Sequence, residues 1–140
     1  NSYTMSKMQT YIKQCIDNEE THRKLLEMMV ASGRVPYNNL KDSIKTSKLK
    51  QKIFIYMYNK NISKAQETLQ KLKKHYINAS DELTFSPENH VYIIKERVNP
   101  KRTDKNWVDS SNDGARKMLN EMKRNLEWFE ENIAFVASLI

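Results

Sequence analysis

Between Ala115 and Ile140, apolar side chains recur in one unbroken frame: Ala115, Leu119, Met122, Leu126, Phe129, Ile133, Val136 and Ile140. The steps alternate four and three residues, so every member falls on one side of an α-helix. No position of the frame is polar. A helix rises about 1.5 Å per residue, so one this long with a continuous apolar side must lie against neighbours along its whole length. Trp128 sits beside the seam and widens it. Ser110, Ser111, Asn112 and Asp113 come just before, and their side-chain oxygens suit the free amides of a first turn. The expected helix is 112–139.

Three more helices follow from the same reasoning. Over 4–32, Met5, Met8, Ile12 and Cys15 share a frame that resumes at Leu26 and Met29. Gly33 and Pro36 end it, as a C-terminal glycine and a nearby proline should. That frame also contains Glu19 and His22, close enough on one face to interact. They are expected to pair with each other or with a neighbouring helix, the alternative being a frame that faces solvent there. Over 39–59, Leu40 and Ile44 lead to a continuous apolar block from Ile53 to Tyr58. Such a block is a buried strand or a helix wet on no side, and its lysine-rich approach without turn residues favours helix. Over 62–78, Ile62, Ala65, Leu69, Leu72 and Tyr76 repeat the seam, so Asn59–Asn61 is a short break.

Residues 77–112 are less regular. Ser86-Pro87-Glu88 reads as a helix start, whereas His90-Val91-Tyr92-Ile93-Ile94 has the β-branched and aromatic content of a strand. Residues 99–111 are expected to be a mobile loop. The chain has 140 residues, within the ~100–200 of one domain. The expected fold is mainly α: a single-domain bundle over 1–140 of about four long, mostly antiparallel helices, with an irregular or short β segment near 84–110.

Composition removes several classes of function. Gly33 and Gly114 are the only two glycines, whereas a phosphate-cradling loop and a dinucleotide fingerprint both need closely spaced ones. Cys15 is the only cysteine, so no intramolecular disulfide can form. The soft metal ligands are Cys15, His22, His75 and His90, with no Cys-x-x-Cys and no His-x-x-x-His pair. Asp109 to Gly114 has the first half of a calcium loop, but its twelfth position is Asn120 rather than the bidentate glutamate. Neither Gly-x-Ser-x-Gly nor His-Glu-x-x-His occurs. The expectation is therefore no enzyme, no metal and no cofactor.

Charge carries more. Lys and Arg total 24 against 17 Asp and Glu, a net charge of +7. From Arg34 to Tyr76 there are 11 basic and 2 acidic residues, so the whole excess sits in the two central helices. Lys41, Lys45, Lys48 and Lys52 cluster on one face of the second helix. On the third, Lys64, Lys71 and Lys74 lie opposite the apolar stripe. A one-sided basic surface suits an acidic partner. The favoured reading is a non-catalytic helical interaction module that binds a protein, probed through these lysines or through leftover apolar side chains. The alternative is nucleic acid or anionic membrane, and the same lysines would meet phosphates. Against it, Arg34 is the only arginine of that segment, and base readers favour arginine. Trp107, beside Lys101 and Arg102, is a candidate loop hot spot. Long helices also leave room for oligomers.

The first residues lack a basic segment followed by an apolar stretch, and no run approaches the ~20 apolar residues of a membrane span. A lone cysteine suits a reducing compartment, so an intracellular location, cytoplasmic or nuclear, is expected. The missing initiator methionine fits a piece of a longer protein. Asn125 to Asn132, with its Asn-x-x-Trp, resembles the end of the C-terminal helical domain of a zinc aminopeptidase family. The long-helix layout resembles the N-terminal regulatory bundle of syntaxin-type vesicle-fusion proteins. Neither resemblance carries a residue role to this chain.

Overall fold

The structure is a computed structural model, and it describes residues 2–79, 83–86, 91–94 and 105–140. Four long helices account for most of it, a mainly-α helical bundle: α1 (Ser2–Ala31), α2 (Tyr37–Tyr58), α3 (Ile62–Ala79) and α4 (Lys105–Ser138). Between α3 and α4 come two short strands, β1 (Leu83–Ser86) and β2 (Val91–Ile94). They pair antiparallel, with Leu83 opposite Ile94 and Ser86 opposite Val91. The β-branched run at 91–94 is thus strand, and Ser86 closes β1 rather than opening a helix.

The first three helices end within two residues of their expected limits, the usual fraying distance. The fourth needs correction: α4 begins at Lys105, seven residues before 112. Ser110 to Asp113 therefore lie inside the helix rather than ahead of its first turn. Residues 105–111 are helical where a mobile loop was expected; residues 99–104 lie outside the described residues. Polar residues and one glycine in a helix interior each cost at most ~1 kcal/mol. A long apolar seam downstream readily outweighs that.

The turns explain themselves in hydrogen bonds. After α1, Gly33 adopts φ +76°. Its amide reaches the Val30 carbonyl (3.0 Å) and the Arg34 amide reaches Met29 (3.2 Å), the two bonds of a left-handed C-terminal cap. After α2 the same motif recurs with Lys60 at the left-handed position, φ 61°. The Lys60 amide meets Met57 at 3.0 Å and the Asn61 amide meets Tyr56 at 2.8 Å. Asn61 serves both helices, because its Oδ1 accepts the Lys64 amide (3.2 Å) at the start of α3. A side chain at a left-handed position costs roughly 1–2 kcal/mol, which glycine avoids. Lys60→Gly is therefore expected to raise stability by about 0.5–1 kcal/mol after the extra freedom of its unfolded chain is subtracted. Urea denaturation measures this; a loss of stability would contradict the role given to Lys60.

The chain groups into two compact units, Asn1–Lys73 with Phe129–Ile140, and Lys74–Trp128. In the first, Met5, Ile12, Ile44, Ile53, Phe54, Met57, Ala65, Leu69, Leu72, Phe129, Ile133 and Val136 are buried. Phe54 and Phe129 meet with ring centroids 4.9 Å apart at 54°, the tilted geometry aromatic pairs prefer. Helices α1 and α2 are antiparallel and laced by polar bonds. Gln9 Nε2 donates to the Tyr58 carbonyl (3.0 Å), Gln51 Nε2 to Ile16 (3.3 Å) and Ser47 Oγ to Glu19 (3.2 Å). The continuous apolar block of α2 is a helix, but not one dry all round: Ile53, Phe54 and Met57 are buried while Ile55 and Tyr58 reach solvent. In the second unit Leu119, Leu126, His75 and Tyr76 are buried. Asn125 Nδ2 donates to the Tyr76 hydroxyl at 3.2 Å.

Candidate protein-interaction face

The helical period sorts the lysines of α2 into two groups. Lys50 falls on the side that meets α1, where its Nζ lies 3.4 Å from the Glu19 carboxylate; the two side chains are 22% and 12% exposed. Glu19 thus pairs with a neighbouring helix, one of its expected outcomes, whereas His22 is exposed and simply faces solvent. Lys41, Lys45, Lys48 and Lys52 point the other way, and all four are exposed. At 100° per residue they occupy about 60° of the helix circumference. Among the described residues none of the four makes an ion pair. Tyr37 and Ile55 fall on the same stripe, one before and one after the lysines, and are 58% and 38% exposed.

The α3 lysines are exposed as well, but two of them are engaged. Lys64 Nζ lies 6.0 Å from the Tyr56 ring centroid, and Lys71 lies 3.9 Å from Glu67 one turn earlier. Lys74 belongs to the other compact unit. The seven lysines singled out in the sequence therefore do not form one equivalent set; the four on α2 do. Trp107 lies in the helical backbone of α4 rather than in a loop. Lys101 and Arg102 lie outside the described residues.

Periodicity missed the apolar side chains left uncovered. Between residues 20 and 43, Leu25, Met28 and Tyr37 are exposed, and Leu26, Met29, Val30, Val35 and Leu40 are only half-buried. The α1 seam runs on in register there, but its members Leu26 and Met29 are only partly covered. A seam signals a side that could be covered, not one that is.

Cys15 is half-buried. Burial pushes its thiol up from the ordinary value, against a hydrogen bond from Tyr11 that works in the other direction. A nucleophilic cysteine needs the opposite shift, because the thiolate is the reactive form. Among the described residues, His, Cys, Asp and Glu form no group of three that could hold a metal ion, and no helix is long and apolar enough to cross a membrane. No protein-family model, curated protein or solved structure matches the chain. Its function has to be read from the geometry of its own surface.

Proposed function

We propose that the chain is a non-catalytic helical interaction module that binds an acidic protein through the outer face of α2. The observation that carries this reading is the row of Lys41, Lys45, Lys48 and Lys52, exposed and without ion pairs among the described residues. Unneutralised like charges one turn apart repel each other, and an acidic partner relieves that cost. Exposed Tyr37 and Ile55 at the two ends add apolar contact, which gives such interfaces much of their affinity. The row stands on a helix held by α1 through the Ser47, Lys50 and Gln51 contacts, so the lysines are presented on a fixed backbone.

The test compares the chain with a variant carrying Lys41→Glu, Lys45→Glu, Lys48→Glu and Lys52→Glu in affinity purification from native extract, with nuclease treatment. The expected result is an acidic protein that survives nuclease and is lost with the variant. Recovery of nucleic acid alone would replace this reading with the phosphate one. In that case affinity for random oligonucleotides should fall steeply with salt as counterions are released, and anionic vesicles would report a membrane partner.

A further inference from the structure

The spacing on α2 says more about the partner than its charge. Lys41, Lys45, Lys48 and Lys52 step by four, three and four residues, which at 1.5 Å per residue is about 6, 4.5 and 6 Å along the axis. An exposed apolar residue stands four positions before the first lysine, Tyr37, and three after the last, Ile55. The whole track runs about 27 Å. Resting on the reading of the α2 face given above, we propose that the occupant is an amphipathic acidic α-helix of a partner protein, laid along α2 with one carboxylate per turn.

Such a helix places Asp or Glu at i, i+4, i+7 and i+11, each level with one lysine. Large apolar residues near i−4 and i+14 meet Tyr37 and Ile55 when the helices run parallel. The lysine steps read the same in both directions, so charge alone does not orient the partner. The flanking steps of four and three do, because reversing the partner moves its apolar ends to i−3 and i+15. Extended chain fits less well: same-face residues of a strand lie about 6.6–6.8 Å apart, so four successive carboxylates overrun the lysine row by several ångströms. A phosphate backbone meets the charge but leaves the aliphatic Ile55 without a use. Lysine, a point charge rather than a planar fork, also gives no base readout.

The probes are three 19-residue peptides of identical composition, read by fluorescence anisotropy, and a random single-stranded oligonucleotide. One peptide carries Glu at the matched spacing with leucines at the flanks. The second keeps its helicity but distributes the glutamates around the helix. The third has a central proline in place of a terminal one, which breaks the helix. The matched peptide is expected to bind at least threefold more tightly than either other peptide. That preference should vanish in the variant with all four lysines changed to glutamate, whose fold circular dichroism checks. Equal affinity for the three peptides would overturn the helical partner and leave the acidic-protein reading standing. Failure of every peptide, with salt-sensitive binding of the oligonucleotide, would overturn both.

Discussion

Phe129→Ala is expected to be among the most damaging single changes in this chain, at about 3–5 kcal/mol of stability. Phe129 is 1% exposed, and its ring packs 4.9 Å from Phe54 in the core of the first compact unit. Truncation removes the transfer energy of the ring and leaves a cavity that a helix-on-helix contact cannot close. Part of the loss is specific to the ring pair. A double-mutant cycle with Phe54→Ala should return a coupling of roughly 0.5–1.5 kcal/mol. Domains are stable by only ~5–15 kcal/mol, so a melting temperature lowered by about 10 °C or more is the expected readout. Phe135 supplies the control. It lies on the same helix, six residues on, but stands exposed on the outer side. Its change to alanine should cost less than about 1 kcal/mol. Similar losses at the two positions would mean that the seam of α4 is not what holds this unit together.

That contrast also shows what could be read before the structure. The four-three frame of α4 named Leu119, Leu126, Phe129, Ile133 and Val136, which are buried, but also Met122, which is only half-buried, and Ile140, which is 69% exposed. Periodicity decides which side of a helix can be dry, and a long frame leaves little choice. It decides boundaries poorly. Ser110 to Asp113 carry strong capping chemistry, but the helix runs through them from Lys105, since local preference is small beside tertiary packing. It does not decide coverage either. Leu26 and Met29 continue the α1 frame in good register and are only half-buried, because burial depends on whether a neighbour reaches that far.

The basic face follows the same logic. That Lys41, Lys45, Lys48 and Lys52 share a side was legible from their spacing. That Lys64 differs from them was not, since its partner Tyr56 depends on rotamers and on the approach of α2 to α3, whereas the Glu67–Lys71 pair one turn apart on α3 follows from its spacing. Exposed Tyr37 and Ile55 were hidden for another reason. Ile55 stands within the apolar Ile53–Tyr58 block, and only the packing of α2 shows which members of that block are left outside, while Tyr37 at the start of α2 is exposed because burial there depends on whether a neighbour reaches that far.

The second large effect concerns the polar break in the α1 frame. Lys50→Met is expected to destabilise the chain by about 1–3 kcal/mol, because it leaves the largely desolvated Glu19 carboxylate without its cross-helix ion-pair partner. Glu19 keeps little access to water, with 12% of its side chain exposed, and Lys50 is its cross-helix partner at 3.4 Å. Glu19→Leu alone should cost less, since the longer and more exposed lysine can swing its ammonium to solvent. Changing both residues should recover most of the loss, because apolar packing then replaces a poorly solvated ion pair. The cycle of the two single changes and the double, followed by urea denaturation, therefore should show a coupling of at least about 1 kcal/mol. His22→Leu is the reference. His22 shares the frame with Glu19 but is exposed, so its change should stay within about 0.5 kcal/mol. Additive single effects at Glu19 and Lys50, both as small as that of His22, would show a solvated pair with no part in aligning the two helices. A strong coupling instead means that the polar layer favours one α1–α2 register. With Ser47 bonded to the Glu19 carbonyl at 3.2 Å and Gln51 to Ile16 at 3.3 Å, sliding either helix by a turn would break all three links together. The lysine row on the far side of α2 is held in place by that same register.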